Sequence, residues 1–141
     1  MGIKRLYRFI DHTADLGIVV RGEDPKRLFV NASLALMDIV AGPTSARAQA
    51  RRVIDLTGDD WPDLMVNWLR EILYLWNGEA YLVNDVHIME LSEKRLHAEV
   101  AMEAYQTDIH AIKTEVKAVT YHQIAVGPAN DEWEARIIFD T

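Results

Sequence analysis

Apolar and polar positions roughly alternate from Lys4 to Ile10, and Leu16 to Val20 is a run rich in β-branched residues. The polar segment Asp11-His12-Thr13-Ala14 lies between them, so the first 20 residues read as strand, turn, strand. At Asp24-Pro25 the period changes. A capping carboxylate followed by proline starts a helix, Leu28, Phe29, Ala32, Leu36, Met37 and Val40 recur at helical spacing, and Gly42-Pro43 ends it near Ala41. Arg47 to Leu56 alternates at its end and predicts an edge or surface strand. Asp59-Asp60-Trp61-Pro62-Asp63 opens a second helix, whose stripe of Met65, Trp68, Leu69, Ile72, Leu75 and Trp76 ends at Asn77-Gly78. The remainder reads as two antiparallel hairpins. Leu82–Leu91 joins Arg95–Tyr105 through Ser92-Glu93-Lys94, and, beyond a polar loop, Glu115–Val126 joins Trp133–Phe139 through a turn over Gly127–Asp131. The order predicts an α+β fold, with two helices packed on one face of a mostly antiparallel mixed sheet as a two-layer sandwich. A length of 141 residues fits a single domain, 1–141.

Composition narrows the function classes. Half the residues are apolar and 26% charged, which excludes a disordered or collagen-like chain. The 22 acidic against 15 basic side chains give a net charge of −7, the wrong sign for gripping nucleic acid through the overall field, so no strong direct nucleic-acid binding is expected. The lack of cysteine excludes a disulfide framework, a thiolate metal site and a cysteine nucleophile. The opening residues do not read as a signal peptide and no stretch of about 18 apolar residues occurs, so a cytoplasmic protein without membrane association is expected. The sequon Asn31-Ala32-Ser33 falls in a helical pattern and is read as chance.

Nucleotide-binding glycine loops, HExxH and GxSxG are absent, and the five histidines, His12, His87, His97, His110 and His122, show no metal-ligand spacing. Three smaller clusters carry candidate chemistry. Asp11-His12-Thr13-Ala14-Asp15 crowds two carboxylates, an imidazole and a hydroxyl into one bend; it reads either as a turn braced by side chain to backbone bonds or as a site. Asp140 and the carboxylate following Thr141 place two anions at the end of an apolar strand. This is either a solvated tail or a set of hard oxygen donors suited to Ca²⁺, Mg²⁺ or Mn²⁺. In Glu115–His122 strand alternation puts Glu115, Lys117, Val119 and Tyr121 on one face, where Lys117 forms a surface ion pair or holds a phosphate or carboxylate. Arg47, Arg51 and Arg52 read as a solvated strand face or a contact surface.

Together these segments resemble the archease family, accessory proteins of the RNA ligase that joins 2′,3′-cyclic-phosphate or 3′-phosphate ends to 5′-hydroxyl ends in tRNA splicing. The resemblance rests on Asp11-His12-Thr13-Ala14-Asp15-Leu16-Gly17, Phe29-x-Asn31-Ala32-x-x-Ala35-Leu36, Trp68-Leu69-x-Glu71-Ile72-Leu73, Glu115-Val116-Lys117-Ala118-Val119-Thr120-Tyr121-His122 and the acid next to the last residue, and it covers essentially the whole chain. It implies an activator rather than an enzyme, one that promotes guanylylation of the ligase histidine and multiple turnover with a bound divalent metal, foremost Ca²⁺. Carried over by residue, it implies metal ligation by Asp15, Asp140 and main-chain or terminal oxygen of Thr141. Lys117 becomes a functional residue beside the metal, and Asp11 and His12 become partner-contact candidates. The family more often ends in an aliphatic residue where this chain has Thr141. Two rival classes are a general protein chaperone and a metal-dependent phosphoesterase using the same acids.

Overall fold

The structure, a computed structural model, describes residues 6–10, 15–42 and 48–141. Asp11 and His12 lie outside the described residues, as does Arg47. Among the described residues, seven strands and two helices follow one another as β1 (Tyr7–Ile10), β2 (Leu16–Gly22), α1 (Pro25–Ala41), β3 (Ala50–Thr57), α2 (Trp61–Asn77), β4 (Tyr81–Leu91), β5 (Arg95–Ala104), β6 (Ala118–Ala129) and β7 (Glu132–Asp140). The α+β class and both helices match the sequence pattern. The strands, however, form two sheets rather than one mixed sheet: a four-stranded sheet in the order β1-β2-β7-β6 and a three-stranded sheet in the order β3-β5-β4, with every pair antiparallel. Both helices touch both sheets.

Local chemistry explains the helix ends. Asp24 accepts from the Arg27 amide at 2.7 Å and Asp60 from the Asp63 amide at 2.9 Å, with a proline in the first turn each time. At the other end of α1, Gly42 adopts φ 73° and returns its amide to the Asp38 carbonyl. The segment after β5 completes this cap: the Lys113 amide bonds the Val40 carbonyl at 2.7 Å and Lys113 Nζ bonds the Asp38 carbonyl at 3.1 Å, a cation at the negative end of the helix dipole.

Although its sequence suggests one apolar stripe, α1 is buried on nearly all sides because it contacts β2 on one sheet and β4 on the other. Its buried polar groups are satisfied. Asn31 donates to the Arg21 carbonyl, Ser33 to the Val30 carbonyl, and Asp38 accepts from the Tyr7 hydroxyl at 2.6 Å. Burial, reinforced by that bond to Asp38, pushes the Tyr7 phenol well above its ordinary range. Between α2 and α1, the Trp68 indole donates to the Phe29 carbonyl at 2.9 Å.

Surface ion pairs tie the elements at their rims. Arg52 grips Glu79 through two bonds of 2.7 and 2.9 Å, Arg95 meets Asp55 at 3.2 Å, and Tyr121 donates to Asp63 at 2.6 Å while Arg70 lies 4.8 Å over its ring. Glu79, Asp55 and Asp63 are all held below their ordinary values of 4.5, 3.8 and 3.8, chiefly by these bonds. A carboxylate with a lowered folded value stabilises fully above its unfolded value and loses that contribution as pH falls through the folded one. Urea midpoints are therefore expected to hold from pH 7 to about 5 and to drop below pH 4. The drop should shrink in about 1 M salt, because all three carboxylates are solvent-screened.

Candidate functional site

β2 and β7 pair with Leu16 opposite Phe139 and Gly17 opposite Ile138. Asp15 precedes Leu16 and Asp140 follows Phe139, so continuing the ladder by one pair sets these two acids side by side. On the other flank of β7, Ala118 is opposite Asp140, and the Lys117 amide donates to the Asp140 carbonyl at 2.7 Å. Three segments far apart in the chain thus converge at one end of the four-stranded sheet. Asp15 is half-buried, while Lys117, Asp140 and Thr141 are exposed. Alternation along β7 places Asp140 on the same face as Ile138 and Arg136, away from the core residues Ala135, Ile137 and Phe139.

The expected alternation through Glu115–His122 does not hold. β6 begins only at Ala118, and Val116 and Val119 are both buried. Asn77 on α2 donates to the Val116 carbonyl at 3.1 Å, drawing that residue into the core before the ladder starts. A second irregularity separates Thr120 from Ala125, with Gln123 at φ 53°. Lys117 consequently lies at the mouth of the strand rather than in line with Val119 and Tyr121. Among the described residues it forms no ion pair, and Tyr121 turns to Asp63 instead. Arg51 and Arg52 of the basic group are taken up by Glu99 and Glu79.

Chemically, this end of the sheet offers two carboxylates, main-chain oxygen and one ammonium-bearing side chain. Like charges so close repel unless water or a cation compensates. Among the described residues, no three His, Cys, Asp or Glu side chains gather closely enough to enclose a metal by themselves. Any ion held here would complete its shell with main-chain oxygen and water, a pattern suited to hard cations. Sequence reading found these acids but missed a second charged feature of the same sheet. Arg8, Arg21 and Arg136 come from three strands and share the face turned away from the helices. Alternation alone gives each arginine a face, but only strand pairing shows that the faces coincide.

Residues 7–141 match the model of the Archease protein family (MTH1598/TM1083). The chain is 30% identical over 138 residues to protein archease of Methanosarcina acetivorans, covering 95% of this chain and 94% of the relative. It is 31% identical over 134 residues to protein archease of Methanopyrus kandleri, covering 93% and 96%. The solution structure of Methanobacterium thermoautotrophicum protein 1598 superposes with a TM-score of 0.80 at 29% identity, covering 97% of this chain and 99% of that one. A Thermotoga maritima crystal structure, described as an archease and possible chaperone, shares the fold with a TM-score of 0.63 at 17% identity, covering 94% of each chain.

Proposed function

Because the chain belongs to the archease family, we propose that it serves as an activator of the tRNA-splicing RNA ligase, promoting guanylylation of the ligase histidine and repeated turnover on 2′,3′-cyclic-phosphate or 3′-phosphate and 5′-hydroxyl RNA ends. The observation that carries this reading is the convergence of Asp15, Asp140 and Lys117 at one end of a sheet, since each comes from a segment that resembles the family's functional motifs. Asp15, Asp140 and main-chain oxygen of Thr141 would hold a divalent cation, foremost Ca²⁺ with Mg²⁺ or Mn²⁺ as alternatives. When bound, the ion would offset the repulsion between the acids at that end of the sheet.

The chain's own residues set the rest. The Lys117 amide fixes the Asp140 main chain, and its exposed ammonium is available to a partner's phosphate or carboxylate. Docking of this patch against the ligase would shift the ligase toward its nucleotide-competent conformation, by an amount set by the patch's differential affinity for the two states. Lys117→Ala is expected to cut stimulation of ligation at least about tenfold while leaving Ca²⁺ affinity, measured by calorimetry, within about twofold, because a phosphate or carboxylate pair is lost but no oxygen donor is. Lys117→Arg should restore part of the stimulation.

The direct test is multiple-turnover ligation by the cognate ligase with GTP and a divalent ion, with and without this protein. Stimulation supports the reading, and its absence where the ligase turns over slowly alone overturns it. A chaperone reading draws on the exposed Ile109 and Ile112 after β5 and on Phe9 in β1. Suppressed aggregation of unrelated unfolded clients, without ligase stimulation, would favour it.

A further inference from the structure

Along α2, Asp63, Arg70 and Asn77 recur at every seventh position, which sets them on one face of the helix at steps of about 10.5 Å. Each bonds the chain at the start of β6. Asn77 donates to the Val116 carbonyl at 3.1 Å, Arg70 Nε donates to the Val119 carbonyl at 3.2 Å, and Asp63 accepts from the Tyr121 hydroxyl at 2.6 Å. As the helix descends from 77 to 63 the bonded chain climbs from 116 to 121. The two segments are thus laid side by side in opposite directions, along a polar seam on a helix whose core face is apolar.

The first rung of this seam stands two hydrogen bonds from Asp140. One peptide unit, between Val116 and Lys117, accepts from Asn77 through its carbonyl and donates to the Asp140 carbonyl through its amide at 2.7 Å. A planar trans peptide points these groups in opposite directions, so the unit is a stiff spacer between the end of α2 and the Asp140 main chain. Hydrogen bonds in line also polarise one another, so each strengthens its neighbour. The second rung falls on Val119, which is opposite Phe139, the residue before Asp140. Helix α2 itself has no need of an asparagine at this position. Its end is closed by the Gly78 amide, which returns to the Tyr74 carbonyl at 2.7 Å, and Asn77 is exposed and fills no gap in the core.

Resting on the cation and ligase reading above, we propose that Asn77 is a positioning residue of the Asp15–Asp140 site. Its bond to the 116–117 peptide fixes the Asp140 main chain and the point from which the Lys117 side chain leaves the sheet. Arg70 and Asp63 hold the following residues in the same register. Groups that orient metal ligands from behind cost about 10–100-fold in affinity or activity when removed, and Asn77 acts one bond further back.

The test compares wild type, Asn77→Ala, Asn77→Gln and Asn67→Ala by Ca²⁺ titration calorimetry, by ligation with the cognate ligase at saturating Ca²⁺, and by amide exchange of the metal-free proteins. Asn67 is the control, because it donates from the same helix to the Thr57 carbonyl at 3.0 Å, on the other sheet. Asn77→Ala is expected to lose at least about fivefold in Ca²⁺ affinity and in stimulation, and to raise exchange of the Lys117 amide at least about tenfold. Its urea midpoint should fall no further than that of Asn67→Ala, which keeps wild-type affinity and stimulation. Asn77→Gln, which retains the donor, should recover part of each loss. Unchanged affinity and stimulation in Asn77→Ala overturn the proposal even if exchange rises, since Asn77 would then hold the fold and not the site. An equal loss in Asn67→Ala overturns it too, by tracing the effect to general stability. A wild type that neither binds Ca²⁺ nor stimulates ligation sinks the activator reading and the proposal together, an outcome distinct from a working wild type with an indistinguishable Asn77→Ala.

Discussion

Replacing Trp68 with alanine is expected to lower the unfolding free energy by about 3–5 kcal/mol, the range for removing a large aromatic from a closed core. Trp68 is 0% exposed and heads the fully buried side chains by volume. It also joins the two helices covalently remote from each other, through its bond to the Phe29 carbonyl. Alanine removes both the indole packing and that donor, and the well-packed neighbours Phe29, Leu64 and Ile72 leave little room for collapse. Trp68→Phe should cost less, because most of the apolar volume stays and only the donor and one ring are lost. Urea unfolding at pH 7 checks this: the midpoint should fall in the order wild type, Phe, Ala, with similar slopes. An alanine unfolding free energy within about 0.5 kcal/mol of wild type would show that this contact does not hold the helices together.

The next largest effect is expected at His110. Its Nε2 lies 3.0 Å from Glu103 Oε2, and the two side chains are only 3% and 1% exposed. The Gln106 amide donates to His110 Nδ1 at 2.9 Å, so Nδ1 must be an acceptor and the ring proton sits on Nε2, donated to Glu103. Asn84 donates to the other carboxylate oxygen at 3.3 Å. His110→Ala strips a deeply buried carboxyl of its bond to the imidazole and is expected to cost about 3–5 kcal/mol, the range for breaking a buried pair by removing one partner. The double variant Glu103→Leu, His110→Phe removes both polar groups and should recover a substantial part of that loss. Denaturation of wild type, Glu103→Leu, His110→Phe and the double variant in a double-mutant cycle gives the coupling; strict additivity would contradict the pairing. The geometry also explains how residues 105–117 are fixed. His110 stacks on Tyr105, which meets Trp76 edge-on, and the same connection then delivers Lys113 to the end of α1 and Lys117 to β7.

Much of the fold is written in short-range chemistry. Asp24-Pro25 and Asp60-Trp61-Pro62 announce helix starts because a capping carboxylate and a donor-free proline satisfy the same first turn. The last hairpin is tighter than its sequence suggests: Asn130 and Asp131 alone form the loop, at φ 53° and 67°, while Gly127 to Ala129 extend β6. Asparagine and aspartate tolerate that left-handed geometry, so a two-residue turn suffices. The division into two sheets is not legible locally, because alternation in β3 or β5 reads the same whichever sheet the strand joins.

The candidate site is half legible. Asp15, Asp140 and Lys117 stand out by motif, but their convergence depends on β2 pairing with β7, a contact between the two ends of the chain that no local pattern encodes. His110 and Glu103 give no sequence signal at all. One sits in a polar stretch and the other in an alternating strand, and only tertiary packing buries them together. The three arginines on the outer face were invisible for the same reason.

The central claim is that the acids at the β2–β7 junction hold the ion on which activation of the ligase depends. One measurement addresses it most directly: multiple-turnover RNA ligation with wild-type protein and with Asp15→Ala and Asp140→Ala, alongside Ca²⁺ titration calorimetry on the same samples. The account predicts that both variants stay folded, lose Ca²⁺ affinity at least about tenfold, and lose stimulation in parallel. Full stimulation by either variant, or stimulation lost with Ca²⁺ affinity intact, would contradict it.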